Sequence, residues 1–151
     1  MSDFAGRSYI VTGGAQGIGK GIAHALLERG ARVLIADIDD EAGRETEREL
    51  SSLGEIRFQK TDVASEEDVS AAVRAAIDAW GLLDGVVNNA GIGAEGSPAI
   101  EKHSLEVWNR VLAVNLTSCF LFAKHAAPAL REGGGAIVNI ASSRWLQSEP
   151  D

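Results

Sequence analysis

Apolar and polar positions alternate along the chain in a repeating rhythm. Ser8-Tyr9-Ile10-Val11 is β-branched and aromatic and predicts a short buried strand. Past Gly19 the apolar residues Ile22, Ala23, Leu26 and Leu27 recur at helical spacing, with Gly30 as a C-terminal stop. Arg32-Val33-Leu34-Ile35-Ala36-Asp37 predicts a second buried strand that ends in an acid. Asp40 and Glu41 begin a charged amphipathic helix to about Leu53, and Ile56-Arg57-Phe58-Gln59-Lys60 reads as a third, half-exposed strand. Ser65-Glu66-Glu67-Asp68 has the form of a capping box, and Val69, Ala72, Val73, Ala76 and Ile77 carry its helix to Trp80. Asp84-Gly85-Val86-Val87-Asn88 predicts a fourth strand, Ala90 to His103 a loop, and Ser104 to about Arg131 a long helix. After Gly133-Gly134-Gly135 comes a fifth strand, Ala136-Ile137-Val138-Asn139-Ile140, and Ala141 to Asp151 reads as loop.

Strands separated by helices require right-handed crossovers, hence an α/β fold with a parallel sheet covered on both faces. The near-continuous apolar strands agree. Ligands of such sheets sit at the carboxyl ends of the strands, where the strand order reverses. One such end carries Thr12-Gly13-Gly14-Ala15-Gln16-Gly17-Ile18-Gly19, a glycine turn between the first strand and the first helix. Without Cβ atoms, a dianionic group can reach the free N–H groups of a helix N-terminus. Glycines at 13, 17 and 19 match neither G-x-G-x-x-G nor the P-loop, so a tight strand-to-helix connection is the alternative to a phosphate-binding turn. Asp37 lies eighteen positions beyond Gly19, near the spacing at which an acid accepts hydrogen bonds from an adenosine ribose. The plainer alternative is that Asp37, Asp39 and Asp40 favour the N-terminus of the next helix, an effect of about 0.3–1 kcal/mol. A ribose-binding carboxylate would repel a 2′-phosphate, and Gln16 supplies no compensating charge, so NAD is expected in preference to NADP.

Composition narrows the function classes. With 151 residues, 45% hydrophobic and 24% charged, the chain is one globular domain's worth. Its charge of −8, with no basic patch, argues against nucleic-acid and anionic-membrane partners. A single cysteine, Cys119, excludes a disulfide within the chain and fits a reducing compartment. Met1-Ser2-Asp3-Phe4 does not begin a secretory signal, and no apolar run approaches membrane-spanning length, so a cytoplasmic protein is expected. His24, His103 and His125 are scattered and predict no metal site. Glu45, Glu47 and Glu49 with Arg44 and Arg48 make a solvated helix face. The helix from Ser104 carries Trp108, Val111, Leu112, Leu116, Phe120, Leu121 and Phe122, and so is expected to be buried, in part against a second subunit.

The glycine turn, followed by Asn88-Asn89-Ala90-Gly91, resembles the short-chain dehydrogenase/reductase family in its common smaller form, over essentially the whole chain. The resemblance implies a Rossmann-like doubly wound parallel sheet, with residues 1–151 forming one dinucleotide-binding domain that lacks the C-terminal part of the fold. It also implies hydride transfer between the nicotinamide of NAD and a small alcohol or ketone, in a homo-oligomer. Gly13, Gly17, Ile18 and Gly19 would then cradle the pyrophosphate, and Asn89, Ala90 and Gly91 pass beside the cofactor. Asp62 and Val63 resemble the pair that contacts adenine, although Asp62 read alone is an Asx turn before a helix. Asn115 resembles the asparagine that interrupts the long helix and holds a water of the proton relay. Ser142 resembles the serine that hydrogen-bonds substrate, with Ser143 competing for the role. Trp145 stands where many relatives have a small residue and either walls the substrate pocket with Arg144 and Leu146 or packs against the remainder of the fold. The family's Tyr-x-x-x-Lys pair, its general acid/base and pKa-lowering lysine, does not occur before Asp151, and Tyr9 in the first strand cannot substitute. These 151 residues alone are therefore expected to be inactive, and a non-catalytic NAD-binding sensor or interaction module is the alternative reading.

Overall fold

The computed structural model describes residues 3–93 and 100–142. Five strands, β1 (Ser8–Thr12), β2 (Arg32–Asp37), β3 (Ile56–Lys60), β4 (Gly85–Asn88) and β5 (Ala136–Asn139), form one parallel sheet in the order β3-β2-β1-β4-β5. Consecutive strands lie outward from β1 to β3, and then the chain returns to place β4 on the other side of β1. The order therefore reverses between β1 and β4, and that is where a doubly wound sheet opens a crevice.

Helices α1 (Gly17–Glu28) and α2 (Asp40–Leu50) cover one face, and α3 (Glu66–Trp80) with α5 (Ser118–Gly133) cover the other. The strands feed both cores by alternation. Val11, Val33 and Ile35 pack with Ala23, Leu27 and Leu50, while Ile10, Leu34 and Val86 pack with Val69, Val73 and Phe122. Side chains cap three helices at their N-termini: Asp39 accepts from Ala42 N (3.0 Å), Ser65 from Asp68 N (3.3 Å), and Ser104 from Val107 N (3.1 Å). The Ser65–Asp68 capping box is only half formed. The Asp68 carboxylate accepts from Asp62 N at 2.9 Å and so ties the end of the β3 loop to α3.

The expected long helix is three pieces. Helix α4 (Leu105–Leu112) runs into a π-helical turn at Ala113–Thr117 before α5 begins, and α5 continues to Gly133. Nor is the whole helix buried. Its inner side holds Val114, Ser118, Leu121, Phe122, Ala126 and Leu130, whereas Trp108 is 54% exposed, Leu116 64% and Phe120 62%. An apolar count cannot separate a buried helix from one with a second apolar stripe facing outward. The charged face of α2 has one exception, Glu47, which accepts from Phe58 N at 3.0 Å.

On the second face, the Glu66 carboxylate of α3 accepts from Lys124 Nζ at 2.6 Å and lies 3.0 Å from His125 Nε2, both on α5. The Lys124 hydrogen bond, and then that of His125, holds the Glu66 carboxyl below its ordinary value of 4.5. A carboxyl with a lowered folded-state pKa stabilises the fold above its unfolded value and loses that contribution as pH falls through the lowered value. Glu66→Gln is therefore expected to lower the melting temperature slightly at neutral pH, with the difference from the parent chain shrinking as pH falls below 4.5. Circular dichroism melts from pH 7 to pH 3 measure this directly.

Candidate dinucleotide site

The glycine turn is shaped by what surrounds it. Gly13 has φ +61° and Gly17 φ +52°, backbone conformations that L side chains rarely adopt. A Cβ on Gly19 would lie 2.0 Å from the Gly13 carbonyl oxygen, and one on Gly14 would lie 2.7 Å from Ile35 Cγ2. Gly14 and Gly19 thus lack side chains so that strand, turn and helix can close on one another. At Gly17, by contrast, a Cβ would meet nothing within 4 Å. Unlike the three capped helices, α1 has no side chain on its first-turn N–H groups, since its N-cap residue Gln16 makes no such bond. Open space beside an uncapped helix N-terminus suits an anionic group such as a pyrophosphate.

Asn89 fastens the turn across the reversal point. Its Nδ2 donates to the carbonyls of Thr12 (2.9 Å) and Gly13 (3.2 Å), and Thr12 Oγ1 accepts from both Asn89 N and Ala90 N at 2.9 Å. This accounts for the Asn89-Ala90-Gly91 segment running alongside the turn.

Two cavities open at the carboxyl ends of the strands and share Ala90, Gly91 and Ile92. The first, of about 200 Å³, is lined by Gly13, Asp37, Ile38, Thr61, Asp62, Val63, Arg110 and Val114 among others. The second, of about 400 Å³, is lined by Ile18, Asn89, Asn115, Ile140, Ala141 and Ser142 beside the shared residues. Of the residues singled out from the sequence, Gly13, Asp37, Asp62 and Val63 therefore line the first cavity, Ile18, Asn89, Asn115 and Ser142 the second, and Ala90 and Gly91 both. Gly17 and Gly19 line neither cavity. Ser143, Arg144, Trp145 and Leu146 lie outside the described residues.

Asp37 ends β2 with each oxygen already engaged once: Oδ2 accepts from Ala15 N at 3.0 Å and Oδ1 from Asp39 N at 3.1 Å. A carboxylate offers about four acceptor sites, so capacity for two more donors remains. Asp62 Oδ1 accepts from Ala64 N at 3.0 Å, which is the Asx turn, and its carboxylate also pairs with Arg110 of α4 at 3.2 Å. Asp62 thus forms the Asx turn and also borders the first cavity. Arg110 had no signal in the sequence, because only the crossing of α4 over the end of β3 brings it there.

Asn115 sits inside the π turn, where the extra residue per turn pushes it out of the helical ladder. Its Oδ1 accepts from Ile92 N and its Nδ2 donates to Ile92 O, both at 2.8 Å. The side chain is a clamp on the segment after Gly91. The Cys119 thiol also approaches the Asn115 main-chain carbonyl, at 3.7 Å. Asn115→Ala removes both bonds and is expected to cost about 1–2 kcal/mol. Amide hydrogen exchange at Ile92 should speed up accordingly.

A parallel sheet whose strand order reverses between β1 and β4, with helices on both faces and cavities at the carboxyl ends of its strands, defines a Rossmann-like domain. Comparison with known proteins narrows the class. The family profile described as short chain dehydrogenase matches residues 7–150. An uncharacterized oxidoreductase of Thermotoga maritima is 45% identical over 148 residues, covering 97% of this chain and 57% of that protein. The 2,5-dichloro-2,5-cyclohexadiene-1,4-diol dehydrogenase of Sphingobium indicum is 41% identical over 152 residues, 99% of this chain and 60% of that protein. The solved structure of a short-chain type dehydrogenase/reductase from Mycobacterium ulcerans superposes with a TM-score of 0.87 at 36% identity, over 93% of this chain and 53% of that one. The chain belongs to the short-chain dehydrogenase family, and it spans little more than half the length of these relatives. Among the described residues no helix is long and apolar enough to cross a membrane.

Proposed function

We propose that this chain is the cofactor-binding portion of an NAD-dependent oxidoreductase acting on the alcohol or ketone group of a small molecule. The observation that carries the reading is the meeting of Gly13, Asp37, Asp62 and Val63 around one cavity that shares Ala90, Gly91 and Ile92 with a second, lined by Asn115 and Ser142. Gly13, Gly17, Ile18 and Gly19 would hold the pyrophosphate, with the α1 N-terminus favouring its charge. Asp37 would accept the adenosine ribose hydroxyls on its two remaining sites, and a 2′-phosphate there would face a carboxylate. Asp62 and Val63 would border adenine. The nicotinamide, when bound, supplies the hydride chemistry. Ser142 would then donate to the substrate oxygen, and the Asn115 carbonyl would hold a relay water. Residues 1–151 contain no Tyr-x-x-x-Lys pair, so these residues by themselves are expected to bind cofactor without turning substrate over.

The apolar stripe of Leu105, Trp108, Leu116 and Phe120 supports a homo-oligomer joined through residues 104–131. Calorimetric titration with NAD and NADP tests the cofactor reading. Saturable NAD binding, tighter than NADP, is expected, and an absence of binding to either would overturn it.

A further inference from the structure

Helix α2 contributes no residue to either cavity, yet it reaches the glycine turn from behind. Thr46 is 1% exposed, and its Oγ1 donates to the carbonyl of Ala15 at 2.7 Å. The N–H of the same residue donates to Asp37 Oδ2 at 3.0 Å. Ala15, itself buried, is therefore gripped from both ends, by a side chain of α2 and by one of β2. Three residues further along α2, Glu49 forms an ion pair with Lys20 in the first turns of α1, so the same helix also braces the helix that leaves the turn.

The peptide bond transmits this grip. In a trans peptide the C=O and the following N–H point in opposite directions within one plane. A hydroxyl that draws the Ala15 carbonyl toward α2 thereby aims the Gln16 N–H away from α2. We propose that Thr46 is a positioning residue for phosphate binding. Its hydroxyl sets the orientation of the Ala15–Gln16 peptide, so that the turn's N–H groups meet the pyrophosphate without rearrangement. Thr46 stands in the sequence between Glu45 and Glu47 of the solvated face. Its direction into the turn follows only from the packing of α2 on β2.

The proposal rests on the cleft being a nicotinamide-dinucleotide site, and the test separates the two. ADP-ribose and adenosine are titrated into the unmodified chain, Thr46→Val, which keeps the shape and removes the hydroxyl, and Thr46→Ser, which keeps the hydroxyl. Thr46→Val is expected to weaken ADP-ribose binding about tenfold, the scale of one buried hydrogen bond left unmade. Adenosine, which has no phosphate, should bind all three within about twofold, and Thr46→Ser should match the parent for both ligands. A purely structural Thr46 would lower the melting temperature and leave the ADP-ribose affinity of the folded protein untouched, which would overturn the proposal. Loss of adenosine binding by the same factor, or a serine variant as weak as the valine one, would overturn it equally. If the valine variant does not fold, Thr46→Ala replaces it under the same criteria. Failure of the unmodified chain to bind ADP-ribose would instead overturn the reading of the cleft, and the proposal with it.

Discussion

Asp37→Ser is expected to shift the ratio of NAD to NADP affinity by about 1.5–3 kcal/mol toward NADP, the worth of a charge-assisted hydrogen bond. Two effects add. On the proposed assignment, serine loses the charged acceptor for the ribose hydroxyls and also removes the carboxylate that a 2′-phosphate would face. The structure adds a third effect that the ratio cancels. Because Asp37 Oδ2 also receives the Ala15 N–H, the variant should loosen the glycine turn and weaken both cofactors together. The measurement is therefore the change in the ratio of two dissociation constants, obtained by calorimetry on parent and variant. An unchanged ratio would remove Asp37 from ribose recognition, even if both affinities fell.

Gly19→Ala is expected to be among the most damaging single-methyl changes in the chain. Its Cβ would stand 2.0 Å from the Gly13 carbonyl oxygen and 2.6 Å from Asn89 Nδ2. The first of these neighbours is backbone, and the second is an amide already bonded to Thr12 and Gly13, so neither yields without opening the turn. Overpacking of this kind costs about 3 kcal/mol, which for a chain of this size lowers the melting temperature by on the order of 10 °C. Gly21→Ala, two residues along the same helix, is the control. A Cβ there meets nothing within 4 Å, and alanine is the better helix former, so a gain of up to about 1 kcal/mol is expected. Thermal melts of the two variants should move in opposite directions. Equal destabilisation would mean that the turn does not close on Gly19 as described.

Much of this architecture was legible because it is local. Ser8–Val11 and Arg32–Asp37 are short runs of residues that suit a strand buried on both faces, and the amphipathic stretches between them have the helical period. Their regular alternation left a parallel, doubly wound sheet as the arrangement that satisfies right-handed crossovers. Asp37 was legible for the same reason, since the last residue of a buried strand must emerge at the sheet's carboxyl edge. Asp62 was half legible: its Asx turn follows from local chemistry, but its pairing with Arg110 joins residues 48 apart in the chain.

The break at Ala113–Thr117 shows where local pattern fails. Leu112 to Ser118 continues a helical apolar rhythm, so an interruption at Asn115 is implied by the family resemblance and not by the local pattern. The turn puts Asn115 against Ile92, 23 residues upstream, and two hydrogen bonds are gained by the extrusion. Within one chain only one side of the helix from Ser104 is buried, for a related reason. Apolar content measures how much surface prefers to leave water, whereas the direction in which α4 leaves the sheet decides which stripe does so within one chain.

The run of residues from Met1 to Asp151 thus settled the order of strands and helices, the place of the glycine turn and the acid that faces it, because each is a consequence of neighbours a few positions apart. Tertiary structure alone decided that Gly19 must be bare to admit the Gly13 carbonyl, that Thr46 turns inward to hold Ala15, and that Asn115 clamps Ile92. These are contacts between elements distant in the chain, and their energies depend on distances that only the packed sheet and its helices define.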